Sequence, residues 1–306
     1  MPKAYVYTRF GGPEGEAFVD QPKPAPGPGE LLVAVRAAGV NPVDWKLREG
    51  YNRPGSTPKP LPTVFGSEAS GVVEQVGEGV RGFAVGDAVF GSTLTGGYAE
   101  YTLLPAAITA HKPAAVSFTD AAALPVAAAT AYDGIQQLAL PAGATLLITG
   151  AGGGVGVAAT QIATGAGIRV IGTASAGKKD FVESLGAVHL APGPGLQERV
   201  RAAAPEGVDA VFDLVGGADL EAVAGLVPDL TKLISAGDKP RVVSLGGAAV
   251  LRLRTAAVLE EVAALVVAGT LRPYVTRTFP LAEAAEALRV VEDGHALGKV
   301  VIEVGA

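Results

Sequence analysis

The chain has 306 residues, of which 49% are apolar and 18% charged, and its formal net charge is −6 at pH 7. That apolar content excludes a disordered chain, and the negative balance lacks the clustered basic face that nucleic acid requires. Cysteine is absent, which removes disulfides, thiol nucleophiles and thiolate metal sites together.

A length past ~250 residues favours two domains over one. The opening residues, Met1 to Tyr7, have no apolar signal core and begin as a strand, so a cytosolic (cytoplasmic) protein is expected. Short strands follow at 31–37, 70–76, 87–90 and 98–103, separated by Gly and Pro, with a turn at Gly77-Glu78-Gly79. Many short strands at regular spacing predict a barrel-like β-domain. From Thr119 the pattern changes. Thr119-Asp120 is expected to cap an alanine-rich helix running to Leu138. Strand patterns then recur at 145–149, 169–173, 187–190, 209–214, 241–245 and 271–276, with helical patterns between most of them. Six parallel strands with crossovers make a doubly wound α/β sheet. The most apolar stretch, 256–268, is interrupted by Glu260 and Glu261 and is too short to cross a bilayer. An amphipathic helix at 281–288 precedes a last strand, 299–304, expected to return to the first domain.

The most informative segment is Gly150-Ala151-Gly152-Gly153-Gly154-Val155-Gly156. A β-rich run, 144–149, precedes it, and 157–163 follows with apolar residues at helical spacing. Strand, glycine turn and helix form the unit that binds a dinucleotide pyrophosphate. Glycines let the backbone approach the phosphates, and free N–H groups at the helix start attract their charge.

Further ordered motifs are Gly39-Val40-Asn41-Pro42-Val43-Asp44, Gly66-Ser67-Glu68-Ala69-Ser70-Gly71, Gly86-Asp87-Ala88-Val89, Ala129-Thr130-Ala131-Tyr132, Asp213-Leu214-Val215-Gly216 and Gly298-Lys299-Val300-Val301. With the glycine turn they resemble the medium-chain dehydrogenase/reductase superfamily, specifically its zinc-independent quinone oxidoreductase branch. The resemblance covers essentially the whole chain. It implies a Rossmann-type doubly wound parallel sheet, 123–278, plus a GroES-like β-barrel domain made of 1–122 and 279–306. Zinc alcohol dehydrogenases of that superfamily carry a cysteine where this chain has Asn41, and Gly-His-Glu where it has Gly66-Ser67-Glu68. A catalytic zinc needs about three protein ligands, whereas His111, His189 and His295 are scattered without ligand spacing. No metal is expected.

An NAD-preferring fold places a carboxylate at the tip of its second strand for the ribose hydroxyls. Here that strand, 169–173, runs into Ala174-Ser175-Ala176-Gly177-Lys178-Lys179, with no acid until Asp180. Ser175 with Lys178 or Lys179 suits a 2′-phosphate, although the lysines also fit a solvated helix start. The missing carboxylate and the resemblance together indicate NADPH. The resemblance also places the nicotinamide in the cleft between domains, near Asn41, Thr130 and the Leu245-Gly246-Gly247 turn. Both that turn and the one carrying Val215 are expected at carboxyl ends of sheet strands, where open α/β folds hold ligands. Thr130 can equally bond the preceding helical turn, and Asn41 before Pro42 can simply shape a turn.

A reduced acceptor oxygen needs a donor. Tyr51 stands where related oxidoreductases often carry a tyrosine, and its phenol can bond that oxygen or relay a proton; an ordinary surface tyrosine is the competing reading. The loop 51–62 is expected to border the substrate opening. The leading expectation is an NADPH-dependent reductase of a quinone or α,β-unsaturated carbonyl. The alternatives are an enoyl-thioester reductase or a non-catalytic NADPH-binding, redox-sensing protein. A homodimer is expected, with 271–276 as its edge strand because Pro273 suits an edge.

Overall fold

In the computed structural model, residues 1–52, 60–294 and 296–305 are described. The chain divides into two units. Met1–Val126, Arg254–Val267 and Val275–Ala306 form one, and Ala127–Leu253 with Ala268–Tyr274 forms the other.

The first unit opens with β1 (Lys3–Tyr7), β2 (Glu16–Asp20), β3 (Glu30–Val40), α1 (Pro42–Arg48), β4 (Thr63–Val64), β5 (Glu68–Val76), β6 (Ala88–Ser92), β7 (Tyr101–Pro105), β8 (Thr109–His111) and α2 (Phe118–Ala122). Strand β3 reads as an almost continuous apolar run because it is central and most of its residues are buried. At its end Pro42 takes the first helical position of α1, where its missing N–H costs nothing. Helix α2 is capped at Ser117, two residues before the expected Thr119, since Ser117 Oγ accepts the Asp120 N–H at 2.9 Å. The single helix expected to reach Leu138 is broken by a wide π-type turn over Leu124–Ala128. Pro125 lies in that turn and has no N–H for an α-helical ladder.

The second unit continues with α3 (Ala129–Leu138), β9 (Thr145–Ile148), α4 (Gly154–Gly165), β10 (Arg169–Thr173), α5 (Lys179–Ser184), β11 (Val188–Leu190), α6 (Leu196–Ala203), β12 (Ala210–Asp213), α7 (Gly217–Ala224), β13 (Leu233–Ser235), α8 (Lys239–Ser244) and β14 (Ala248–Ala249). Its six strands are all parallel, in the order β11-β10-β9-β12-β13-β14. The central strands β9 and β12 bury Leu146, Leu147, Ile148 and Phe212 completely. Helix α9 (Ala256–Val267), β15 (Val275–Pro280), α10 (Ala284–Glu292) and β16 (Lys299–Glu303) complete the chain. Strand β16 pairs antiparallel with β3 in the first unit. There a seven-stranded sheet runs β15-β16-β3-β5-β6-β8 with β7 also on β3, beside a three-stranded sheet β2-β1-β4.

Two expected strands of the parallel sheet lie elsewhere. Residues 241–245 fall in α8 and its C-cap, because Asp238 caps that helix through Arg241 N–H and Pro240 sits in its first turn. The fifth and sixth strands are instead the three residues of β13 and the two of β14. The run 271–276 is split. Leu271 to Tyr274 is held against α4 by Gln161, whose Oε1 accepts the Arg272 N–H and whose Nε2 donates to the Arg272 carbonyl, both at 3.0 Å. Val275 onward pairs with β16.

Candidate functional site

The glycine turn leaves β9 at the carboxyl edge of the parallel sheet. Gly150 has φ +71°, a left-handed conformation open to glycine at little cost. Ala151 N–H donates to the Thr173 carbonyl at 2.8 Å, pinning the turn to the end of β10. A Cβ at Gly156 would lie 2.3 Å from the Gly150 carbonyl oxygen, so only glycine lets α4 start this close to the turn. The first N–H groups of α4, at Gly154, Val155 and Gly156, have no acceptor one helical turn back, and they carry the positive end of the helix dipole. Backbone closeness and free donors together form a cradle that fits a pyrophosphate.

The β10 exit separates the two lysines. A Cβ at Gly152 would meet Lys178 Cδ at 2.7 Å, so the Lys178 stem lies across the glycine turn. Burial lowers the pKa of its ammonium. Lys179 is exposed and pairs along α5 with Glu183 at 4.0 Å. Ser175 is exposed at the strand exit, and its carbonyl accepts the Lys178 N–H at 2.9 Å.

On the same edge, Asp213 organises the turn after β12. Its Oδ1 accepts from Thr149 Oγ1 at 2.6 Å and from Gly216 N–H at 3.0 Å, while Oδ2 accepts from Ser235 Oγ at 2.5 Å. This buried lattice holds the exposed Val215 beside the glycine turn, its Cγ2 3.0 Å from where a Gly150 Cβ would stand. Leu245 and Gly246 do not join it. They follow a helix rather than a strand, and they precede β14, so they belong to the opposite edge of the parallel sheet. Gly246 packs there against Leu230, just before β13. The turn that does reach the carboxyl edge is Ser235 to Asp238: a Cβ at Gly237 would lie 2.7 Å from the Val215 nitrogen. The helix-start signal of Asp238 and Pro240 points to it in the sequence. Thr130 is buried on α3.

In the first unit, Asn41, Asp44, Glu68, Tyr98 and Lys299 form a buried polar cluster. Lys299 Nζ donates to Glu68 Oε1 at 2.8 Å, Asn41 Oδ1 at 2.8 Å and the Val40 carbonyl at 3.2 Å. Glu68 Oε1 also accepts from Asn41 Nδ2 at 2.7 Å, and Oε2 accepts the Val126 N–H at 2.7 Å. Asp44 accepts from Ser67 Oγ at 2.7 Å, Asn41 N–H at 2.9 Å and Tyr98 Oη at 2.9 Å. Burial pushes the Asp44 carboxyl up to about 6, against these hydrogen bonds and with help from the Glu68 charge. Sequence reading singled out Asn41 but not Lys299 as a functional residue. Tyr51, just past α1, is 47% exposed. Residues 53–59 of the expected substrate loop, like His295, lie outside the described residues.

Residues 27–114 match the alcohol dehydrogenase GroES-like domain family, and 185–302 match a family described as zinc-binding dehydrogenase. The chain is 32% identical over 332 residues to a chloroplast envelope quinone oxidoreductase homolog of Arabidopsis thaliana, covering 98% of each. It belongs to the zinc-independent quinone oxidoreductase branch of the medium-chain dehydrogenase/reductase superfamily. It is also 34% identical over 325 residues to an NADPH-dependent alkenal/one oxidoreductase of Arabidopsis thaliana, covering 98% of this chain and 79% of that one. A mycobacterial structure complexed with NADPH matches with a TM-score of 0.87 and 32% identity, over 99% of this chain and 100% of that one. As a member of this branch the protein is an oxidoreductase using a nicotinamide cofactor. Asn41 and Ser67 stand at positions that are cysteine and histidine in zinc alcohol dehydrogenases. Here their side chains are committed to Glu68, Lys299 and Asp44.

Proposed function

We propose that the protein is an NADPH-dependent, zinc-independent reductase of a quinone or α,β-unsaturated carbonyl. The observation that carries the cofactor choice is Lys178, a partly desolvated cation lying on the glycine turn, with no carboxylate at the tip of β10. Bound NADPH supplies the hydride. The start of α4, with Gly150 and Gly153 to Gly156, holds the pyrophosphate, and Lys178 with Ser175 takes the 2′-phosphate. Lys179 plays a lesser part, since Glu183 competes for it. Val215 packs at the glycine turn, and Asn41 and Thr130 serve the nicotinamide end. Tyr51 donates to the acceptor oxygen. The quinone and alkenal/one names of the relatives support the substrate class.

The test is oxidation of NADPH and NADH with excess chelator across a panel of quinones and enones. Loss of one charged hydrogen bond, at ~1.5–3 kcal/mol, converts to about 10- to 100-fold in affinity. Lys178→Met is therefore expected to raise the KM for NADPH by that factor and to leave NADH unchanged. Equal effects on both cofactors, or activity lost with chelator, would overturn the reading.

A homodimer and a cytosolic location belong to the same proposal. Because 271–276 is no edge of the parallel sheet, the open edge at its carboxyl-terminal side is β14. The chain just past it exposes Leu251 and Leu253, at 67% and 65%. A monomer mass by sedimentation equilibrium would refute the dimer, and cell fractionation tests the location.

A further inference from the structure

The buried cluster around Lys299 fixes more than charge balance. A lysine ammonium only donates, and a carboxylate only accepts. The Asn41 atom 2.8 Å from Lys299 Nζ must therefore be its oxygen, and the atom 2.7 Å from Glu68 Oε1 must be its nitrogen. Flipping the amide would set N–H groups against the ammonium and an oxygen against the carboxylate, two repulsive contacts replacing two attractive ones. An asparagine amide is ordinarily ambiguous; this one is determined by its neighbours.

Its hydrogen-bonding capacity follows. One Nδ2 hydrogen goes to Glu68, and the other faces the Gly39 carbonyl at 3.4 Å. Oδ1 accepts from Lys299 and has capacity for one further donor; the Asp44 N–H, which the capping box brings toward the Asn41 side chain, donates to the Asn41 carbonyl at 2.9 Å. Lys299 itself directs all three of its N–H groups at Glu68, Asn41 and the Val40 carbonyl, and it is 5% exposed. Glu68, fully buried, is locked by the Val126 N–H on its other oxygen. Gly39 makes room for this carboxylate, since a Cβ there would lie 2.1 Å from Glu68 Oε1.

We propose that Lys299 is a positioning residue that, together with Glu68, orients the Asn41 amide so that Asn41 meets a ligand only as a hydrogen-bond acceptor. The proposal rests on the reading of Asn41 as a contact of the nicotinamide nucleotide. It specifies the partner as a hydroxyl or N–H donor, such as a ribose hydroxyl. It excludes Asn41 as the donor to the oxyanion of a reduced acceptor.

Removing Lys299 alone would leave a buried unpaired carboxylate, a strongly destabilising change. The informative variant is Lys299→Met with Glu68→Gln, which removes both charges at similar volume and allows the amide to flip. Binding is read with oxidised NADP⁺ by calorimetry, so that turnover plays no part. Proton exchange of the Asn41 side-chain amide is read by NMR on the free protein, and thermal unfolding verifies the fold. The paired variant is expected to weaken NADP⁺ about fivefold, the size of one neutral hydrogen bond, and to accelerate exchange of the Asn41 amide. In an Asn41→Ala background it is expected to cost nothing further. An equal cost in that background, or unchanged amide exchange, would overturn the positioning role. If Asn41→Ala alone leaves NADP⁺ affinity at the wild-type value, the contact reading fails instead, and exchange still decides whether Lys299 orients the amide.

Discussion

Asp44 offers the sharpest test of the buried cluster. Its carboxyl moves from an ordinary 3.8 to about 6, chiefly because burial penalises the ionised form. The folded protein thus holds this proton more tightly than the unfolded chain does. Its contribution to stability is present at low pH and is lost as pH rises through about 6. Between pH 4.5 and 7.5 those two values correspond to a loss of about 2 kcal/mol. Asp44→Asn removes the titration while keeping the shape. The amide oxygen can still accept from Asn41 N–H and Tyr98, and the amide nitrogen can donate to Ser67 Oγ, whose hydroxyl hydrogen can rotate away. Urea unfolding of both proteins across this pH range gives the difference, in which the carboxylates that do not interact with Asp44 cancel. The variant is expected to gain about 2 kcal/mol on the wild type from pH 4.5 to 7.5. Parallel profiles, or a wild type that gains with pH, would refute the argument that burial outweighs the three hydrogen bonds.

Three further outcomes follow from single contacts. Arg48 is buried and joins Glu16 at 2.5 Å, Glu292 at 2.6 Å and the Gly11 carbonyl at 2.9 Å. Arg48→Met should therefore cost about 3–5 kcal/mol, seen as a lower denaturation midpoint of the first unit. Gly156→Ala forces a Cβ to 2.3 Å from the Gly150 carbonyl; NADPH affinity measured by fluorescence should fall at least about tenfold, one lost charge-assisted contact. Gly134→Ala places a methyl 2.5 Å from two ring carbons of Phe212. It should lower stability by about 1–3 kcal/mol, with partial recovery when Phe212→Leu is added.

What short-range rules govern was legible in the order of residues alone. A strand running into a glycine turn and a helix is legible because conformation there depends on residues a few positions apart. The strand at 299–304 was legible in its apolar pattern, while its place in the first unit was an expectation that the family resemblance implied. The last two strands of the parallel sheet were not legible. At three and two residues, β13 and β14 are too short to show a period, while the β-branched Val242 and Val243 in α8 imitate a strand. A strand at 241–245 would carry Leu245 and Gly246 to the carboxyl edge, whereas the helix there leaves them at the opposite one. Which of two adjacent lysines lies on the glycine turn emerged only from the folded chain, because the path from β10 into α5 sets their directions. Folding likewise brought Lys299 to Glu68, 231 positions away. A buried charge acquires its partner from whatever strand the fold lays beside it, and spacing along the chain carries no trace of that choice.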